Sequence, residues 1–245
     1  MDRIEPDWPA PRRVRAVCTT RQGGASRRPF ASMNLADHVG DDRSCVRRNR
    51  KTLREELGLP GDPHWLRQVH GCAVAEAVGG PRECEADAAV AFHAGEVCAV
   101  LTADCLPLLF CDQAGTRVAA AHAGWRGLAA GVIEAAVDAI GAAPRDLLCW
   151  LGPAIGPDAF EVGAEVRDRF VSDAPGSASA FRPAANGKWL ADLFALARQR
   201  LTAIGVERVW GGNLCTYSAP SRFFSYRRDG LTGRMASLIW IDPVS

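Results

Sequence analysis

The chain has 245 residues, 48% hydrophobic and 23% charged, which suits one large domain or two small ones around a real core. Twenty-nine basic against 28 acidic residues leave a formal net charge of +1, so no global field marks a nucleic-acid or membrane partner. Residues 1–15 are charged and broken by prolines, unlike a signal or transit peptide, and no apolar run reaches the length of a membrane span.

In chain order, a first strand is predicted over Val14–Thr19, where β-branched and apolar residues concentrate. Helical spacing follows over 44–57, with Val46, Leu53 and Leu57 on the inward face. Asn49 and Arg50 share that face, so they must find hydrogen-bond partners there and are expected to tie down neighbouring loops. Strands are then predicted at 64–69, 73–78, 88–92, Val97–Thr102, 106–111 and 118–121. An apolar stripe at helical period runs over 128–140, followed by a strand over Leu147–Leu151. Residues 172–188 read as one polar surface loop or lid. A helix is expected over 190–204, stopped by Gly205, with closing strands at 206–210, 223–226 and Met235–Ile241. No repeat or low-complexity segment interrupts this order. Hairpin-like strand pairs mixed with helices argue for a single α+β domain over 1–245 rather than a doubly wound parallel sheet.

The nine cysteines form no Cys-x-x-Cys pair, and Cys18, Cys98, Cys111 and Cys149 sit in apolar segments as small buried hydrophobes. That pattern points to a reducing cytoplasm rather than a disulfide framework. Of five histidines, His38, His64 and His93 have no suggestive neighbours. His70 closes a predicted strand before Gly71, and His122 stands between a strand and the clearest helix. Cys105 breaks two apolar runs before Leu106-Pro107. Strand ends beside glycine or proline are where scaffolds place reactive groups.

Two imidazoles and a thiolate form a zinc set that leaves a fourth position open, as catalytic zinc requires. The same triplet also suits a Cys105 nucleophile activated by an imidazolium. The plain alternative is one more buried thiol with two structural histidines. The helix expected from about Gly127 would bring free N–H groups beside Arg126, a place for an anion. Arg21, in Arg21-Gln22-Gly23-Gly24, and the guanidinium-rich turn from Ser225 to Arg234 are suited to phosphate or carboxylate.

Taken in order, these motifs resemble one family along roughly residues 14–241. They are Thr20-Arg21-Gln22-Gly23-Gly24, Ser32-Met33-Asn34-Leu35, Gln68-Val69-His70-Gly71, Ala86-Asp87-Ala88, Ala103-Asp104-Cys105-Leu106-Pro107, His122-Ala123-Gly124-Trp125-Arg126-Gly127, Gly152-Pro153-Ala154-Ile155-Gly156 and Ser225-Tyr226-Arg227-Arg228-Asp229-Gly230. The sequence is similar to the laccase-domain, or YfiH-like polyphenol oxidase, family, with no departure at the three central positions.

The resemblance implies a single domain of packed mixed β-sheets flanked by helices and a metal-capable site at His70, Cys105 and His122. It also implies zinc-dependent phosphorolysis of adenosine, inosine and methylthioadenosine, with phosphate as co-substrate and adenosine deamination as a second activity. Arg21, Asn34, Gln68, Asp87, Asp104, Arg126 and Arg227, all inside these motifs, are the substrate-binding candidates, and Asp87 and Asp104 the candidate proton shuttles. Trp125, Phe224 and Tyr226 are available to stack on a purine. Two other labels travel with the family: copper-dependent phenol oxidation and editing of cell-wall precursors. Five scattered histidines cannot furnish several coppers, which sets the oxidase reading lowest; a single copper would be adventitious. The main competing enzyme class is a cysteine hydrolase or amidase acting on a cell-wall precursor. The expected partners are small molecules only, with the chain a monomer or homodimer.

Overall fold

The structure is a computed structural model that describes residues 1–78 and 84–243. The single-domain expectation over 1–245 includes 79–83 and 244–245, which lie outside the described residues. The chain begins with β1 (Arg3–Ile4), β2 (Val14–Thr19), α1 (Arg43–Leu57), β3 (Pro63–His64), β4 (Val74–Glu76), β5 (Ala88–Ala91) and β6 (Val97–Thr102). It continues with β7 (Leu106–Asp112), β8 (Val118–Ala123), α2 (Trp125–Ala130), α3 (Val132–Ile140), β9 (Leu147–Leu151), β10 (Glu161–Val162) and α4 (Ala164–Asp173). The last elements are β11 (Phe181–Pro183), β12 (Trp189–Ala191), α5 (Leu193–Ala203), β13 (Arg208–Gly211), α6 (Tyr226–Asp229) and β14 (Met235–Ile241).

Two mixed sheets stack face to face, ordered β1-β2-β14-β6-β3 and β13-β9-β7-β8-β5-β4, with a small sheet β10-β12-β11 beside them. Alternate residues choose the layer they fill. On β6, Cys98 and Val100 join Leu109, Cys111 and Ala120 between the sheets, while Val97, Ala99 and Leu101 face Leu53 of α1. The far face of the second sheet packs on α2, α3, α4 and α5. The result is a layered α/β/β/α arrangement, an α+β fold as expected, with strands such as β6, β7 and β8 buried along their whole length.

Four strands, β2, β6, β9 and β14, have the bounds the sequence predicts. Asn49 meets expectation too: it accepts from Ala25 N at 2.7 Å and donates to Ser26 Oγ, Ser32 O and Asn34 O. Arg50 donates to Leu35 O.

The differences have local causes. The helix expected over 128–140 is two, because Gly131 sits at φ 100° and ends α2 as a left-handed cap. The first of these begins at Trp125, capped by Gly124, so Arg126 lies inside its first turn rather than before it. The strand expected over 64–69 ends at His64, because the Gln68 side-chain amide takes the place of a strand partner. It donates to Leu101 O at 2.8 Å and accepts from Leu101 N at 2.7 Å. The start of the helix expected over 190–204 is displaced to Leu193 by Asp192, whose carboxylate caps Ala195 N, while Leu190 joins β12.

The region 172–188 is not one loop: α4 runs through Asp173, and β11 pairs with β12. Residues 223–226 are not a strand. Phe223 and Phe224 are buried against Ala103 and Met235, and Ser225 caps α6 by accepting from Arg228 N.

Candidate metal centre

Three pieces of backbone meet at one end of the second sheet. The β7–β8 register opposes Pro107 to His122, so Cys105, just before β7, arrives beside the end of β8. Its turn depends on Asp104, a non-glycine residue at φ 88°. The Asp104 carboxylate holds that conformation by accepting from Thr216 Oγ1 at 2.6 Å, Ser225 Oγ at 3.0 Å and Arg227 N at 2.7 Å. His70, at φ 62°, comes from the loop before β4.

One buried carboxylate, Asp87, organises both histidines. It accepts from Val69 N at 3.1 Å, His70 N at 2.9 Å and Gly71 N at 2.7 Å, fixing the His70 turn. Asp87 stands just before β5, whose Ala88 pairs with Ala121, so it also lies beside His122. His122 Nδ1 meets Asp87 Oδ1 at 2.8 Å, which turns Nε2 of that ring toward the cluster.

The ligand atoms of His70, Cys105 and His122 all lie within 4.8 Å of one another. Cys105 Sγ is 3.9 Å from His70 Nε2, and the two imidazoles cross edge to face with centroids 4.9 Å apart. Gly124 makes this approach possible: a Cβ there would stand 2.9 Å from both Cys105 Sγ and His70 Cδ2. Two imidazoles, one thiol and a carboxylate behind one ring fit a zinc or copper ion, with three protein ligands and an open position. Burial pushes the Cys105 thiol up, but the charge of His122, its hydrogen bond and His70 outweigh that and bring it down to about 6. Burial likewise opposes the His122 imidazolium, and the Cys105 and Asp87 charges overcome it, raising it to about 9. Asp87 pays a burial cost too, yet His122 and the Gly71 and Val69 amides hold it below the usual carboxylate range.

The other candidates fall into two groups. Asp87 binds the His70 backbone and the His122 ring, and Asp104 fixes the turn that presents Cys105. The remaining side chains mostly bind the protein itself. Asn34 donates to Ala36 O and Asp41 and accepts from Ala36 N and Arg234 N. Gln68 clamps Leu101. Arg21 donates to Ala31 O and Pro220 O with its guanidinium over Phe224, and Arg227 reaches Glu161 O. Arg126 is exposed, its guanidinium 4.5 Å from the Trp125 ring. Phe224 is fully buried and so has no face for a purine, whereas Tyr226 is exposed. The sequence reading placed Arg234 only among crowded arginines. The signal that singles it out is the strand at Met235, which sets it opposite the Ala103–Asp104–Cys105 turn.

A family described as multi-copper polyphenol oxidoreductase laccase matches residues 15–242. The chain belongs to this laccase-domain family. A protein of Pseudomonas aeruginosa named purine nucleoside phosphorylase is 57% identical over 97% of this chain and 98% of its own length. The Escherichia coli purine nucleoside phosphorylase YfiH is 53% identical over the same 97% and 98% shares. Among solved structures, a Neisseria meningitidis protein superposes with a TM-score of 0.94 at 50% identity, covering 99% of this chain and 100% of that one. YlmD of Geobacillus stearothermophilus gives 0.87 at 34% identity, over 94% and 93%. The multi-copper description finds little support in the ligands of this laccase-domain chain. His38 and His93 are exposed, His64 is buried in β3, and among the described residues no second such group of His, Cys, Asp and Glu forms. No helix among the described residues is long and apolar enough to cross a membrane.

Proposed function

We propose that this chain is a zinc-dependent purine nucleoside phosphorylase that accepts adenosine, inosine and methylthioadenosine, with adenosine deamination as a second activity. The observation that carries the reading is the His70–Cys105–His122 cluster, braced by Asp87, in a chain whose 47–57% identical relatives bear the phosphorylase name. When bound there, zinc supplies Lewis-acid polarisation of a water or a substrate oxygen.

The protein's own residues orient the reactants. In phosphorolysis a phosphate oxygen forms a bond to ribose C1′ as the C1′–N9 bond breaks; the purine leaves with the bonding pair and is protonated, giving ribose 1-phosphate. The exposed Tyr226 and half-buried Trp125 offer aromatic faces for the base. Asp87 is a positioning residue, since four hydrogen bonds fill the roughly four lone-pair sites of its carboxylate. Asp104 retains one of about four acceptor positions, which makes it the carboxylate available to a deamination proton shuttle. Arg21, Asn34, Gln68 and Arg227 shape the site rather than contact substrate. The enzyme works in the cytoplasm as a monomer or homodimer.

The test is a nucleoside panel assayed with and without phosphate, alongside metal analysis. Stoichiometric zinc, loss of turnover in chelator and a ribose 1-phosphate product are expected. One observation favours a second reading: a Cys105 thiol 3.9 Å from His70 Nε2, and brought down to about 6, against burial, by the His122 charge, suits a cysteine hydrolase. Turnover that survives chelator, with an acyl group trapped on Cys105, would replace the first reading with that one.

A further inference from the structure

We propose that Arg234 is the residue that holds inorganic phosphate at this site, in place of Arg126. The proposal rests on the phosphorylase reading and names the residue behind its co-substrate.

The argument begins with which guanidinium groups are already spent. Arg21 is committed to Ala31 O and Pro220 O and sits 3.9 Å from the Asp229 carboxylate. Arg228 binds Asp229 through two nitrogens and also donates to the carbonyls of Thr216, Tyr217 and Phe223. Arg227 donates through Nη1 to Glu161 O, with its guanidinium over Phe160. Arg21 and Arg228 are thus spent across both edges, while Arg227 keeps its Nε and Nη2 hydrogens but stacks on Phe160. Arg126 is free, but it lies in water, where screening weakens its hold on an anion.

Arg234 differs on each count. The antiparallel register pairs Met235 with Thr102, so Arg234 lies one step further on, facing the turn that carries Asp104 and Cys105. Its backbone is pinned on both sides: its N–H donates to Asn34 Oδ1 at 2.9 Å and its carbonyl accepts from Leu35 N. Of the five guanidinium hydrogens, only those on Nη1 are used, on Thr232 O at 2.9 Å and Gly233 O at 3.0 Å. The Nε and Nη2 hydrogens remain, and that edge is the one that pairs with two phosphate oxygens at once.

Arg234 is half-buried; burial opposes its charge, and the nearby Cys105 and Asp104 groups favour it. The guanidinium lies 5.9 Å from the ring of Tyr226, which is 62% exposed and so can meet an incoming substrate. A partly desolvated guanidinium that keeps a free donor edge beside a reactive centre is suited to take a bound anion there.

The experiment compares metal-loaded wild type with Arg234→Lys, Arg234→Ala and Arg126→Ala. It reads the KM for phosphate, the KM for nucleoside, zinc content, and the rise in melting temperature on adding inorganic phosphate. Loss of charge-assisted hydrogen bonds predicts that Arg234→Ala raises the phosphate KM about 10–100-fold and removes the phosphate-dependent stabilisation. The nucleoside KM should stay within about twofold, zinc should remain stoichiometric, and Arg234→Lys should fall between the two. An unchanged phosphate KM and stabilisation in both Arg234 variants overturns the proposal. So does transfer of the whole effect to Arg126→Ala, or loss of zinc and of both substrates together, which would mark Arg234 as structural. Base release by wild type that ignores phosphate would refute the phosphorylase reading instead; the phosphate-dependent melting temperature would still decide whether Arg234 binds the anion.

Discussion

Replacing Asp87 by Asn tests whether one carboxylate holds both histidines. Oδ1 faces His70 N and His122 Nδ1, and Oδ2 faces Val69 N and Gly71 N. An amide has one acceptor oxygen, so its NH2 group confronts two part-buried backbone donors in one orientation, and in the other the His70 N–H together with a His122 ring that must change tautomer. Each donor left without a partner costs about 1–3 kcal/mol, for a total of about 1–6 kcal/mol. In a chain of this size that corresponds to a fall in melting temperature of roughly 2–24 °C. The same change frees the His122 ring to rotate, and loss of such a brace weakens metal binding by about 10–100-fold. Calorimetry on the metal-free protein and competition with a chelator measure the two effects separately. If Asp87→Asn melts with wild type and keeps its zinc affinity, the carboxylate is not the brace described here.

Cys105→Ala should abolish turnover and stoichiometric zinc while the metal-free protein melts within about 3 °C of wild type, because an open three-ligand site is not a folding nucleus. An equal loss of fold, seen by circular dichroism, would mark the site as structural. Gly124→Ala places a Cβ 2.9 Å from Cys105 Sγ and His70 Cδ2, so it should lower zinc affinity by at least about tenfold with little loss of helix; unaltered zinc titration would refute the packing argument. Asp229, hydrogen-bonded to Arg228 and close to Arg21, has a depressed pKa, so its stabilisation is present above the unfolded value near 3.9 and lost as pH falls through the folded value. The melting temperatures of wild type and Asp229→Asn should therefore differ at pH 7 and converge only as the pH falls through the depressed folded value, and a gap independent of pH would exclude the charge as its source.

What the sequence determined by itself is what local period and residue chemistry govern. The near-continuous apolar runs of β6, β9 and β14, and the β-branched and apolar residues of β2, marked their bounds, because a strand buried on both faces leaves little room for polar residues. The inward polar pair on α1, the free buried cysteines and the three ligand residues at strand ends were legible for the same reason. Tertiary structure decided whatever depends on partners distant in sequence. Nothing near Gln68 announces that its amide will replace a strand beside Leu101, and nothing near Phe223 shows that burial against Met235 will hold it in a loop. The helix α4 escaped notice because only Val166 and Phe170 carry its buried stripe. At the site, residue type showed which groups had the right chemistry, while contacts set their tasks. Asp87 and Asp104 became the frame, most of the arginines were spent on carbonyls, and Arg234 kept a free edge, because hydrogen-bond capacity is finite and only the folded chain shows how it is shared.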